Sequence, residues 1–157
     1  MNFKKDNRRY IIRLDKGEEL IETLAKFCDD NKLGFASFHG IGGLKECTLA
    51  YFDLKTGEYL KKEVNDEGIF ELLSIQGNVS IKEGRTFVHA HVVLGKKDYS
   101  TIGGHLVEGT VNPTCEILLI ALSDDTSDKD SKNKPKPEPL KISRKKDKDT
   151  GLMLLDI

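Results

Sequence analysis

Apolar positions recur along this chain with two different periods, and the switches between them mark out its elements. Tyr10–Leu14 is a short apolar run ended by Asp15-Lys16-Gly17, the pattern of a first strand. Asp15-x-x-Glu18 has the form of a capping box. Leu20, Leu24, Phe27 and Asn31 then follow at helical spacing, with Ile21, Ala25 and Cys28 widening the stripe. The spacing predicts a helix over residues 18–31, packed by one face on a sheet and ended at Leu33-Gly34.

No second helical stripe follows. Phe35–Phe38 is apolar, His39-Gly-Ile-Gly-Gly43 interrupts it, and Lys45–Asp53 resumes as a strand. Tyr59–Val64 alternates weakly after the turn Lys55-Thr-Gly57, and Ile69–Ile75 with Asn78–Ile81 reads as one strand broken near Gly77. Thr86–Leu94, His105–Val111 and Glu116–Leu122 complete the series. One helix followed by strands with short turns predicts an α+β fold, a single domain with a mainly antiparallel β-sheet and one principal helix.

The stretch Gly84–Gly109 holds His89, His91 and His105, three of the four histidines. On a strand over Thr86–Leu94, Val88, Ala90, Val92 and Leu94 form a fully apolar face, and His89 and His91 share the other with Phe87 and Val93. The Cβ atoms of His89 and His91 then stand roughly 7 Å apart, a span two imidazoles can close on one ion through bonds of about 2 Å. A hairpin through Lys96–Thr101 returns His105 beside them. Phe87 and Val93 suggest that this second face is covered too, and covered imidazoles need partners: a metal, a hydrogen-bond network or a subunit interface. For a metal, three neutral nitrogens without a thiolate suit zinc, with nickel, copper or iron as alternatives, and leave a coordination position open. Glu108 lies near His105, but on an unbroken strand it points to the opposite face, so it is not assigned as ligand or base.

Other motifs are excluded by what surrounds them. A cupin places a carboxylate ligand soon after H-x-H, whereas here no carboxylate comes before Asp98. His39-Gly-Ile-Gly-Gly43 lacks the third glycine of a dinucleotide loop, because Lys45 stands there, and G-K-S/T is missing; the glycines read as a bend or bulge. Glu46 and Glu116, each in apolar strand surroundings, read as exposed edge positions. Cys28, Cys47 and Cys115 are widely spaced and odd in number, the mark of free thiols in a reducing compartment.

Charge divides the chain. The net charge is −1, which supplies no strong electrostatic drive toward nucleic acid or a membrane. The N-terminal M-N-F-K-K-D-N-R-R-Y has no apolar segment of the signal-peptide kind, and no run approaches a membrane span, so a cytoplasmic protein is expected. From Asp124, Ser, Asp, Lys and Pro dominate, with K-P-K-P-E-P at 134–139. The composition predicts a domain over 1–123, a disordered tail over 124–150 and a short apolar segment over 151–157 that can dock on the domain, a subunit or a partner. Arg144-Lys145-Lys146 reads as part of a solvated linker.

Taken together, R-L-D-K-G-E-E-L at 13–20, G-I-G-G-L-K-E-C-T-L at 40–49, F-E-L-L-S-I-Q-G-N-V-S at 70–80, H-A-H-V-V-L-G at 89–95, G-G-H-L-V-E-G-T-V at 103–111 and T-C-E-I at 114–117 carry a resemblance. The chain is similar to the plants-and-prokaryotes-conserved (PPC) domain, which plants attach to AT-hook DNA-binding motifs. The resemblance implies an α+β homotrimer. It also implies a metal, typically zinc, at the histidines matching His89, His91 and His105. In plant members a segment beginning G-R-F-E-I-L binds partner proteins; here it reads Gly68-Ile-Phe-Glu-Leu-Leu73, with Ile69 in place of Arg. The AT-hook core R-G-R-P is absent, so plant-style DNA binding does not carry over. Three functions compete: a trimeric metal-holding binding module, possible partners included; a metal-dependent enzyme acting on a small substrate; and direct DNA binding.

Overall fold

The computed structural model describes residues 1–124 and 138–157. Six strands form the main sheet: β1 (Asn2–Asp6), β2 (Arg9–Asp15), β3 (Ala36–Asp53), β4 (Glu58–Lys82), β5 (Arg85–Gly95) and β6 (Thr101–Ala121). The helix α1 (Leu20–Asp30) lies between β2 and β3 in sequence. The strand order is β1-β2-β6-β3-β4-β5, every pairing is antiparallel, and β6 also pairs with β5. The sheet therefore curls until β5 meets the beginning of β6. The expected α+β architecture with one principal helix is the one observed.

The strands are longer than the sequence pattern suggests. The interruption at residues 39–43 is absorbed inside β3 as register shifts at Gly40/Gly42 and Leu44/Glu46, so a bulge replaces a break. The runs 105–111 and 116–122 are likewise one strand, β6. Backbone pairing on both sides holds these strands through positions whose side chains give no period. Between β4 and β5 the turn needs only Glu83 and Gly84, at φ 51° and 77°, the positive pair of a two-residue hairpin that matches strand twist.

Alternation buries one side of the sheet. On β2, Tyr10, Ile12 and Leu14 are buried while Arg9, Ile11 and Arg13 are exposed. On β5, Val88, Ala90, Val92 and Leu94 are buried, as their spacing requires. The helix covers this side through Leu20, Leu24, Phe27 and Cys28. A fully buried leucine such as Leu24 contributes about 2 kcal/mol by leaving water. The helix begins later than the capping-box pattern implies. Glu19 is the N-cap, accepting from the Glu22 backbone N–H, and it also accepts from Gly109 N–H of β6 at 2.7 Å. Asp15 belongs to β2 instead; its N–H donates to Glu18 at 2.7 Å, so the back half of the box survives without the front.

The C-terminal segment departs from the expected tail. Ser123–Asp124 (β7) pairs with Glu138–Pro139 (β8), and Arg144–Lys146 (β9) pairs with Met153–Leu155 (β10). Part of the predicted disorder, over 125–137, lies outside the described residues. From residue 138 onward the chain is instead tied down by backbone bonds, Leu140 N–H to the Leu122 carbonyl (3.2 Å) and Ile81 N–H to the Ile142 carbonyl (2.9 Å). Composition misses this because β4 outruns β3 at its end, leaving an open edge that accepts any extended chain.

Candidate metal centre

The side of β5 away from the core carries His89 and His91. Cross-strand register places His91 directly opposite His105 on β6, Gln76 opposite His91, and Asn78 opposite His89 on β4. The hairpin from β5 to β6 is short and fixed. Lys96 N–H donates to the Ser100 carbonyl at 2.9 Å, and Asp98 accepts from the Ser100 backbone and hydroxyl. The sequence spacing thus becomes proximity: ring centroids stand 5.0 Å apart for His89–His91, 5.0 Å for His89–His105 and 5.6 Å for His91–His105. One nitrogen from each ring lies within 4.8 Å of the other two.

The three rings meet different surroundings. His89 and His105 are half-buried, whereas His91 is exposed, as is Val93 beside it. The expected cover over this face is therefore only partial within one chain. His105 Nδ1 is buried without a hydrogen-bond partner. Burial, then the neighbouring His105, Arg144 and His91, depress the pKa of His89 to about 4; burial and the same positive neighbours His91 and Arg144 lower that of His105. Both rings are thereby held toward the neutral form, in which one ring nitrogen carries a lone pair.

These features fit a divalent metal. Three neutral imidazoles offer nitrogen donors, and the orphaned His105 nitrogen would gain a partner. Nitrogens bound to one ion at about 2 Å lie roughly 3.3 Å apart, so nitrogens within 4.8 Å of one another need to close by no more than about 1.5 Å. Glu108 is not part of the group; its carboxylate accepts from the Thr48 hydroxyl at 2.8 Å. Glu46 and Glu116 are exposed, as expected, but they lie on the interior strands β3 and β6, paired on both sides, and not at an edge. The thiols are no alternative ligands, because Cys28, Cys47 and Cys115 are buried and free, and burial pushes them to about 12, 11 and 12.

Two neighbours escaped sequence reasoning. Tyr59 packs its ring 5.4 Å from His105, and Arg144 comes within 3.4 Å of His89 Nδ1. Tyr59 sits in a weakly alternating run and Arg144 in a run of cations, so neither carries a local signal. His39 lies on the same open face, where it lines a cavity of about 660 Å³ with Ser37, Ser74, Gln76, His89 and His91.

The depressed pKa values set a pH dependence for the metal-free protein. Histidine has a value near 6.5 when unfolded, and His89 only about 4 when folded. The unfolded chain binds more protons in between, so stability is full above pH 6.5 and falls as pH drops toward 4. Discounted for the partial exposure of His89, the loss is about 1 kcal/mol. Urea unfolding at pH 7.0 and 4.5 checks it. His89→Gln should flatten the profile, and a wild type more stable at pH 4.5 contradicts the assignment.

Comparison with known proteins places this geometry. Residues 1–123 match the model of the Plants and Prokaryotes Conserved (PCC) domain. A plant- and prokaryote-conserved protein of Pyrococcus horikoshii is 36% identical, with a TM-score of 0.78 over 99% of this chain and 95% of that one. A metal-containing protein of Archaeoglobus fulgidus is 28% identical, TM-score 0.78, over 100% and 99%. A candidate DNA-binding protein of Bacteroides thetaiotaomicron is also 28% identical, TM-score 0.81, over 99% and 96%. Among curated proteins, no significant match is found.

Proposed function

The chain belongs to the Plants and Prokaryotes Conserved domain family, and from that premise we propose that it is a trimeric binding module holding one divalent metal, zinc, at His89, His91 and His105. The observation that carries the reading is the convergence of three ring nitrogens within 4.8 Å, one of the rings with an orphaned buried nitrogen. The metal-containing Archaeoglobus fulgidus protein, similar over its whole length, supports it. When bound, a metal would supply Lewis acidity and a structural tie between β5 and β6. The chain's own part is to hold two rings neutral by burial and to set His91 opposite His105.

The trimer rests on the open sheet face. Ile11, Leu118, His39, Gln76, His91 and His105 form one row of directly paired residues across the sheet. Ile11, Ile41, Leu73 and Val93 stand 44–65% exposed. Such a face asks for cover by another subunit, and the family resemblance sets the number at three. The domain is taken as 1–123, with residues 138–157 as an appendage on it. No described helix is long and apolar enough to cross a membrane, and the buried free thiols fit a cytoplasmic setting.

Native mass spectrometry tests both parts together. The expected species contains three 17.6 kDa chains and one zinc ion for each chain. A metal-free monomer at micromolar concentration overturns the proposal.

The cavity of about 660 Å³ beside His89 and His91 favours a second reading, a metal-dependent enzyme using the open coordination position on a small substrate. No carboxylate joins the three histidines among the described residues, which weighs against it. Direct DNA binding is the weaker alternative. It has the Bacteroides protein's description behind it, while the net charge of −1 supplies no phosphate attraction.

A further inference from the structure

Arg144 reaches the histidine cluster from β9, far along the chain. Its Nε donates to Ser80 Oγ at 2.8 Å, Nη1 to the Met153 carbonyl at 2.7 Å and Nη2 to Asn78 Oδ1 at 2.7 Å. Its guanidinium lies 5.0 Å over the Phe87 ring, and Nη2 stands 3.4 Å from His89 Nδ1. Ser80 is fully buried. This half-buried cation is thus held by neutral acceptors and a ring face; no carboxylate pairs with it among the described residues.

A guanidinium can only donate. Its contact with His89 therefore uses the lone pair of Nδ1, and the proton of the neutral ring sits on Nε2. A metal also needs a lone pair. At Nδ1 it meets Arg144 directly. At Nε2 it drives the proton to Nδ1, where an N–H then faces the N–H donors of Arg144. Either way two cations and one ring compete, inside a partly dry pocket where charges are poorly screened.

We propose that Arg144 and a metal ion are mutually exclusive partners of His89, so that the β9–β10 hairpin is a latch that metal binding loosens. By reciprocity, the closed latch lowers the site's affinity for metal. The latch is suited to opening because little else holds it. Beyond Arg144, the nearest backbone ties to the sheet among the described residues precede the hairpin: Ile81 N–H to the Ile142 carbonyl with the bridge at Ser143, and Leu140 N–H to the Leu122 carbonyl. This inference rests on the metal reading above.

Zinc affinity of the full chain, measured by competition with a chromogenic chelator, is compared between wild type and Arg144→Met. The methionine keeps an apolar stem over Phe87 and removes the charge. The variant should bind zinc about five- to a hundredfold more tightly. In wild-type protein, zinc should also speed amide exchange at Asp147 and Asp156, whose N–H groups close the hairpin. Equal affinities with unchanged exchange overturn the latch and leave the metal reading standing. Weaker binding by the variant overturns the latch as well, since Arg144 would then support the site. No zinc uptake by either protein overturns both. The exchange measurement needs only wild type, so it decides the matter even if Arg144→Met folds poorly.

Discussion

Replacing His91 by alanine should empty the metal site while leaving the fold intact. His91 is exposed and points away from the core, and exposed substitutions of this kind cost within about 0.5 kcal/mol. Its loss as a ligand costs far more. Structural zinc binding of about 10–16 kcal/mol shared among three ligands gives roughly 3–5 kcal/mol each, about two to four orders of magnitude in affinity. Elemental analysis after gel filtration should find about one zinc per wild-type chain and next to none in His91→Ala. Melting supplies the control: added zinc should raise the wild-type Tm by mass action and leave that of the variant unmoved. Full metal retention by His91→Ala, with the melt unchanged, removes this histidine from the site. His105→Ala is less clean, because that ring is half-buried and packed against Tyr59.

The same residues show what can be read from a sequence of this type. His89, His91 and His105 were legible because a strand has a period of two and a short hairpin has one return path. Local geometry alone brings His91 opposite His105. The apolar face Val88, Ala90, Val92 and Leu94 was legible for the same reason, and so was the helix stripe Leu20, Leu24, Phe27 and Cys28. What failed were properties that depend on contacts between distant segments. The glycines at 40–43 mark a bulge, as expected, but that β3 runs unbroken through it follows from pairing with β4 and β6 on either side. The partial exposure of His91 and Val93 depends on what lies over the sheet, which alternation does not encode. Arg144 was least legible. It sits among Lys145, Lys146 and Lys148 in a segment of tail-like composition, yet only its side chain finds Ser80 and Asn78, 64 and 66 residues away. A charge run says that cations are solvated on average; it cannot say which one meets a buried hydroxyl.

A substitution at Gly77 should cost more stability than any exchange among the histidines. Gly77 lies on β4 opposite Ala90, between the pairs Asn78–His89 and Gln76–His91. A Cβ there would stand 2.1 Å from the His89 carbonyl oxygen and 2.5 Å from Cζ of the buried Phe38. The phenyl ring has little room to turn, and the carbonyl is backbone, so the β4–β5 ladder must part at the point that positions His89. Gly77→Ala should therefore destabilise the metal-free protein by about 3 kcal/mol or more, a fall of roughly 6–12 °C in Tm for a chain of this size. Gly84 in the same hairpin makes an internal comparison. Its Cβ would meet nothing within 4 Å, and its cost comes only from φ +77°, which sets Gly84→Ala at about 1 kcal/mol. Calorimetry of the two variants should rank Gly77→Ala well below Gly84→Ala. Zinc affinity should fall only in the former, since only that substitution moves the strand carrying His89. Equal melting temperatures would mean that β4 and β5 can yield at Gly77, and that the approach of backbone to backbone there is not what holds the histidines in place.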